Sequence, residues 1–278
     1  MRHALSNTAV DQFRSLGYFT PVPVLSDAET ADFRAQLETF EATQGGKLEP
    51  AQRNKCHLLF KWIDDLIHDA RVLDPIEDLL GPDILCWNTI FWIKEAGSPS
   101  FVSWHQDITY WGLAGGDVIT AWLALSPATN DSGCMRVMPG THIGDLMAHE
   151  DRYDEANMLT RGQEIAVEVD EAKAVVMDLK PGEMSLHNVR LAHASGPNRS
   201  ADRRIGLSMH FIPASAYQSV GAWDSAALVR GTDNHGHFHA TPRLSRDFDP
   251  DALAFHEQAT AALRDILYHG AEQNTHKV

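Results

Sequence analysis

Residues 84–93 read Ile84-Leu85-Cys86-Trp87-Asn88-Thr89-Ile90-Phe91-Trp92-Ile93. β-Branched and aromatic side chains dominate the run, which suits a pleated, packed surface and predicts a strand. Further short segments of this kind follow at 118–125, 134–138, 164–169, 174–179, 184–193 and 204–212. Gly115-Gly116, Pro139-Gly140, Pro181-Gly182 and Gly196-Pro197-Asn198 punctuate them. Many short strands separated by Gly/Pro turns predict a sandwich or barrel. Residues 141–163 read as a long loop. Upstream the pattern is helical: Val10, Phe13 and Leu16 share one face, and a Ser26/Glu29 capping box precedes Phe33, Leu37 and Phe40. A helical pattern covers 62–67, and Asp74-Pro75 opens a further helix that stops at Gly81-Pro82. Residues 249–268 are helical again. The expectation is one domain, mainly β with flanking helices: helical support over 1–83, a β core over 84–213, and a loop and helix over 214–278.

The chain has 278 residues, 44% hydrophobic and 22% charged, enough apolar material for one sizeable core. Its net charge of -15 repels nucleic acid and anionic membrane, so neither is an expected partner. A local Arg or Lys still permits an anionic small molecule. Cys56, Cys86 and Cys134 form no CxxC pair, and residues 1–21 lack a basic segment followed by an apolar one. The expected location is the cytoplasm. The sequence gives no oligomeric state.

The chemistry is concentrated in Ser103-Trp104-His105-Gln106-Asp107. In an extended segment His105 and Asp107 leave on one face and can hold a divalent metal together. A third ligand must come from the later strands, where His187 and His193 are the candidates. Two imidazoles and a carboxylate form the facial triad of non-haem Fe(II) oxygenases, which leaves three coordination positions for a 2-oxo acid and O2. Eleven residues after His193 comes Arg204, at the start of a strand. The intervening Gly196-Pro197-Asn198 turn lets that strand fold back beside His193. Arg204 can then grip the far carboxylate of a 2-oxo acid with its planar fork.

With these motifs in place, the sequence resembles the phytanoyl-CoA dioxygenase family of Fe(II)/2-oxoglutarate oxygenases. The resemblance rests on His105-Gln106-Asp107, on Trp122 within Ala121-Trp122-Leu123-Ala124, on Gly133 with Pro139-Gly140-Thr141-His142, and on the block from His193 to Arg204. It implies a double-stranded β-helix (a jelly roll, cupin-like) over roughly 84–213. It also implies Fe(II) bound by His105, Asp107 and His193, with 2-oxoglutarate as co-substrate and O2 as oxidant. Family spacing favours His193 over His187, and Arg204 over Arg203, which is left on the surface. Arg204 and Ser195 would bind 2-oxoglutarate and Trp122 would wall the site. Asp107 stands where halogenating relatives carry a small residue, which favours hydroxylation.

Other residues carry two readings. Asn88 is either a 2-oxoglutarate contact or a partner for a backbone group. Tyr110 and Trp111 either line a substrate pocket or pack in the core. Lys55, His57 and Lys61 form either a solvated basic helix face or, with Arg230, a set of contacts to a substrate anion. His235, His237 and His239 read as a loop rather than a second metal site. The expected function is hydroxylation of a small polar metabolite, amino-acid-like or an aminophosphonate, with release of succinate and CO2. The alternatives are oxygenation of a natural-product scaffold or acyl thioester, a non-oxygenase cupin-type metal enzyme, and a non-catalytic metabolite-binding barrel.

Overall fold

Alternation along four adjacent strands determines where everything else in the molecule goes. The computed structural model describes residues 4–275 and 277–278. In chain order its main strands are β1 (Tyr18–Pro23), β2 (Ile84–Lys94), β3 (Val102–His105), β4 (Ile119–Ala124), β5 (Met135–Val137), β6 (Val175–Val176), β7 (Glu183–Asn188), β8 (His193–Ser195), β9 (Arg204–Pro213), β10 (Ser225–Arg230) and β11 (His239–Ala240). Seven of them form a sheet in the order β1-β7-β4-β9-β2-β10-β11, antiparallel except for the β10/β11 pair. A second antiparallel sheet has the order β3-β8-β5-β6. The helices are α1 (Asn7–Leu16), α2 (Asp27–Gln44), α3 (Lys61–Leu66), α4 (Ala70–Leu80), α5 (Ile108–Trp111) and α6 (Pro250–Leu267).

Successive strand residues point to opposite faces. On one face of the large sheet lie Ile205, Leu207, Met209 and Phe211 of β9, with Phe91, Ala121, Leu123, Met184 and Leu186 beside them. All are buried, in one cluster with Leu37 of α2, Ile63 of α3 and Leu73 and Ile76 of α4. Each of these side chains larger than alanine contributes roughly 1.5–3 kcal/mol through burial. The other face carries Arg204, Gly206, Ser208 and His210 of β9, register-matched to Lys94, Trp92, Ile90 and Asn88 of β2. Trp122 and Thr120 of β4, and Ser185 and His187 of β7, complete that polar face. It looks onto the small sheet across a cavity lined from both sides.

The architecture is therefore mixed rather than mainly β: helices and strands hold about equal shares of the chain. The Ser26/Glu29 capping box forms as expected at the start of α2. α4 begins earlier than Asp74-Pro75. The Asp69 side chain accepts the Arg71 N–H and caps the helix there, which leaves Pro75 inside it. The runs expected over 164–169 and 174–179 shrink to two-residue strands, and 184–193 splits into β7 and β8 around a turn. β1 and β10 were not anticipated. Among the described residues no helix is long and apolar enough to cross a membrane.

Candidate active site

β3 and β8 pair so that His105 and His193 sit directly opposite each other, which puts both imidazoles on one face with ring centroids 4.1 Å apart. Asp107 does not lie in an extended segment. Its φ of -58° and ψ of -42° turn the chain into α5, and that turn swings the carboxylate back toward the imidazoles. Asp107 Oδ1 lies 3.1 Å from His105 Nε2, and Oδ2 lies 3.9 Å from His193 Nε2. One donor atom from each of the three residues falls within 4.8 Å of the other two. Among the described residues this is the one such grouping of three metal-ligating side chains.

The backbone fixes the imidazoles. His105 Nδ1 meets the carbonyl oxygens of Ser103 and His193, at 2.9 and 3.1 Å, and His193 Nδ1 meets that of Leu191 at 3.0 Å. A carbonyl can only accept, so each Nδ1 is the donor there and each Nε2 is the atom turned to the shared centre, where His105 Nε2 meets Asp107 Oδ1. Gln106 pins the turn between the ligands. Its Nε2 donates to Arg190 O at 2.6 Å, and its Oε1 accepts the Met147 N–H at 2.8 Å. Burial pushes the Asp107 carboxyl up, but the neighbouring His193 and His105 outweigh it and hold the group well below its ordinary range. Burial, with His105 alongside, lowers His193 to about 4. A carboxylate and two imidazoles are the donor set a divalent iron takes.

Arg204 is buried at the far end of the cavity with its guanidinium 5.3 Å over the Trp122 ring. Its Nε has no partner among the described residues. A buried guanidinium without an acceptor is costly, and the cost is recovered when a carboxylate arrives. Ser195, two residues beyond His193, lines the same cavity. Arg203 faces the other way, as strand alternation requires. It is not a free surface residue, however: it is mostly buried, bonded to Glu41 and Glu95.

The remaining expected site residues divide. Trp111 lines the cavity and contacts His210, ring centroids 4.4 Å apart. Tyr110 lies outside it, beneath the Arg161 guanidinium at 5.1 Å. Asn88 serves the backbone: its Oδ1 accepts the N–H groups of Lys55 and Thr89, both at 2.9 Å. His57 is fully buried and meets the Thr89 hydroxyl at 3.0 Å, and Lys61 pairs with Asp65 at the surface. Arg230 pairs with Asp74 and Glu77. Lys55 is buried against Asp224 and the carbonyls of Trp87 and Ser225. None of these residues lines the cavity: Lys55 and His57 are buried against their own partners, and Lys61 and Arg230 pair with carboxylates nearer the surface. His239 stacks on Trp223 and His237 bonds Ala216 O, so the 235–239 histidines hold loop structure.

Two features were not read from the sequence. Across β7, β4 and β9 a polar row of His187, Thr120 and His210 faces the cavity, with His187 Nδ1, Thr120 Oγ1 and His210 Nδ1 unpartnered among the described residues. The period-two spacing of polar residues in 184–188 and 204–210 was the available signal. The second feature is a larger cavity of about 420 Å³, which reaches the triad at Asp107 and Trp111. Its walls combine Ile90 and Trp92 with charges of both signs, including Arg53, Lys47, Glu95 and Glu155.

Residues 13–206 match the profile of the family described as phytanoyl-CoA dioxygenase. Among solved structures the chain is similar to the non-heme monooxygenase ThoJ in its apo form, with 35% identity over 93% of this chain and 97% of that one and a TM-score of 0.83. A probable alpha-ketoglutarate-dependent hypophosphite dioxygenase of Stutzerimonas stutzeri is 29% identical, over 72% of this chain and 68% of that protein. CytC3 with Fe(II) and alpha-ketoglutarate shares the fold, with a TM-score of 0.68 at 21% identity over 90% of this chain and 98% of that one.

Proposed function

Since the chain belongs to the phytanoyl-CoA dioxygenase family of Fe(II)/2-oxoglutarate-dependent oxygenases, we propose that His105, Asp107 and His193 hold its iron and that it hydroxylates a small polar metabolite. The observation that carries this is the convergence of the three side chains in a cavity that also contains a buried, anion-free guanidinium. The two sheets around that cavity are read as the double-stranded β-helix of the family, within a single domain. Bound iron supplies the redox chemistry that couples oxidative decarboxylation of 2-oxoglutarate to hydroxylation of the substrate.

The chain's own groups have separate tasks. The Ser103, His193 and Leu191 carbonyls orient the two imidazoles, and Gln106 holds Asp107 in its turn. Arg204 binds the distal carboxylate of 2-oxoglutarate, with Ser195 beside it and Trp122 as the wall under the guanidinium. Trp111 closes the side toward the larger cavity and excludes water from the reacting end. The substrate enters by that larger cavity. Its volume suits a metabolite rather than a coenzyme A thioester, and its two signs of charge suit a zwitterion or a small oxyanion. The hypophosphite dioxygenase named above supports the second of these.

Succinate release from 2-oxoglutarate, measured across hypophosphite, phosphonates, aminophosphonates and amino acids, tests the proposal. Turnover coupled to one of them is expected. Turnover confined to acyl thioesters or large scaffolds would overturn the substrate reading, and no coupling of 2-oxoglutarate to any substrate would overturn the reaction.

A further inference from the structure

The cavity face of the large sheet sets two cations side by side. Lys94 on β2 and Arg204 on β9 are direct register partners, and both are buried. Lys94 Nζ reaches Ser195 Oγ at 2.6 Å and the carbonyl oxygens of Gly196 and Gly133. The approach is built into the backbone. Gly133 sits at φ +71°, and a β-carbon there would stand 2.3 Å from Gly196 O, so glycine alone lets the two carbonyls close around the ammonium. Among the described residues no carboxylate figures in the electrostatic surroundings of either side chain.

We infer that Lys94 is a positioning residue for the co-substrate: by donating to Ser195 Oγ it turns the Ser195 O–H toward the distal carboxylate held by Arg204. This rests on the assignment of Arg204 and Ser195 to that carboxylate. A hydroxyl has one proton to give. Once Nζ donates into the oxygen, the proton points elsewhere, and Ser195 lines the cavity that Arg204 enters. An ammonium has three N–H groups for the three oxygens around it. A neutral amine has two, which go to the carbonyls, and the Ser195 O–H then turns back to Nζ and away from the cavity. Lys94 therefore couples its own proton to the direction of the hydroxyl.

The charges around Nζ set the direction of that coupling. Burial, and then Arg204 from β9, lower Lys94 to about 6. Cys134, from the turn before β5, is pushed up to about 12 by burial and stays neutral. Ser195 and Gly196 complete the surroundings. An arriving carboxylate favours the ammonium and raises Lys94 again. Binding above pH 6 thus takes up a proton, and affinity falls as the pH rises from 6 toward the value Lys94 has in the complex.

Calorimetric titration of Mn(II)-loaded protein with 2-oxoglutarate, at pH 7.5 in Tris and in phosphate, tests this. Wild-type protein is expected to take up close to one proton per ligand. Lys94→Met should take up none and bind about tenfold more weakly or worse, the loss expected for a charge-assisted hydrogen bond. Ser195→Ala should weaken binding comparably. The double variant should be little weaker than Ser195→Ala alone, because Lys94 acts through Ser195. Proton-free binding by wild-type protein would overturn the proton coupling, and wild-type affinity in Ser195→Ala would overturn the inference even if Lys94→Met failed to fold. So would wild-type affinity in Lys94→Met, or fully additive losses in the double variant. Arg204→Met separates the two levels. If it loses affinity while Lys94→Met does not, only the role of Lys94 falls. If it too binds normally, the assignment beneath it falls as well.

Discussion

Gly206 of β9 backs directly onto the Trp122 ring, the wall of the proposed co-substrate site. A β-carbon added there would stand 1.8 Å from Trp122 Cζ2, 2.4 Å from Cε2 and 2.5 Å from Cη2. Carbon atoms pack at about 3.5–4.0 Å, so in Gly206→Ala the indole must retreat by about 2 Å. Away from the cavity it is held by a buried cluster with Tyr18, Val137 and Leu191, so the displacement goes into the cavity and against Arg204. Overpacking of this kind costs about 1–3 kcal/mol, which lowers Tm by about 2–4 °C per kcal/mol in domains of about 150–250 residues. The functional cost is separate. The Arg204 guanidinium rests on that indole, and a desolvated cation–π contact is worth about 2 kcal/mol. The dissociation constant for 2-oxoglutarate should therefore rise about tenfold or more. Thermal melts and calorimetric titration of the Mn(II)-loaded variant measure the two effects. Wild-type Tm together with wild-type affinity in Gly206→Ala would refute the placement of Trp122 between Gly206 and Arg204.

Other perturbations probe different parts of the molecule. Asp107→Gly removes one of three ligands and should abolish hydroxylation and weaken Fe(II) binding without unfolding the protein, since Asp107 caps no helix with its side chain; succinate release and equilibrium dialysis against Fe(II) under argon check this. Lys55→Met removes the ammonium 3.6 Å from buried Asp224 and leaves it only neutral donors from Trp87, Gln218 and Ser225; it should cost about 3–5 kcal/mol in urea denaturation, and a loss below about 1 kcal/mol would count against a charged pair there. Burial holds His57 well below its usual value and lowers His210 to about 4. The folded metal-free protein thus binds fewer protons than the unfolded chain below about pH 6.5. Its stability should be full above that pH and decline as the pH falls toward 4, whereas a flat Tm over that window would contradict the burial of neutral imidazoles.

The polar-apolar grammar of the sequence reached the sheets and the ligand pair more easily than the partners of isolated cations. The run at 84–93, the Gly/Pro turns and the Ser26/Glu29 box each encode their element locally, and β2 and α2 follow them closely. β1 carries Pro21 and Pro23, which argue against a strand. It exists because Tyr18 and Phe19 pair with β7 at the sheet edge, where a missing N–H is tolerated. His105 and Asp107 were read together for the wrong local reason. They converge through a strand-to-helix turn rather than along an extended segment. Lys55, His57 and Lys61 look like one basic cluster because they are close in sequence while the partners of the first two are not. Asp224 and Thr89 lie far away in the chain from the residues they hold. The Lys94–Ser195 contact was invisible for the same reason: it joins residues 101 positions apart.

The most direct measurement is anaerobic titration of the metal-free protein with Fe(II) and 2-oxoglutarate, followed by visible absorption. A weak metal-to-ligand charge-transfer band is expected, saturating at one iron per chain and weakened or shifted in Asp107→Gly. Folded, iron-loaded wild-type protein with no such band, or a band that persists unchanged in Asp107→Gly, would contradict the assignment of the three side chains to one iron that 2-oxoglutarate chelates.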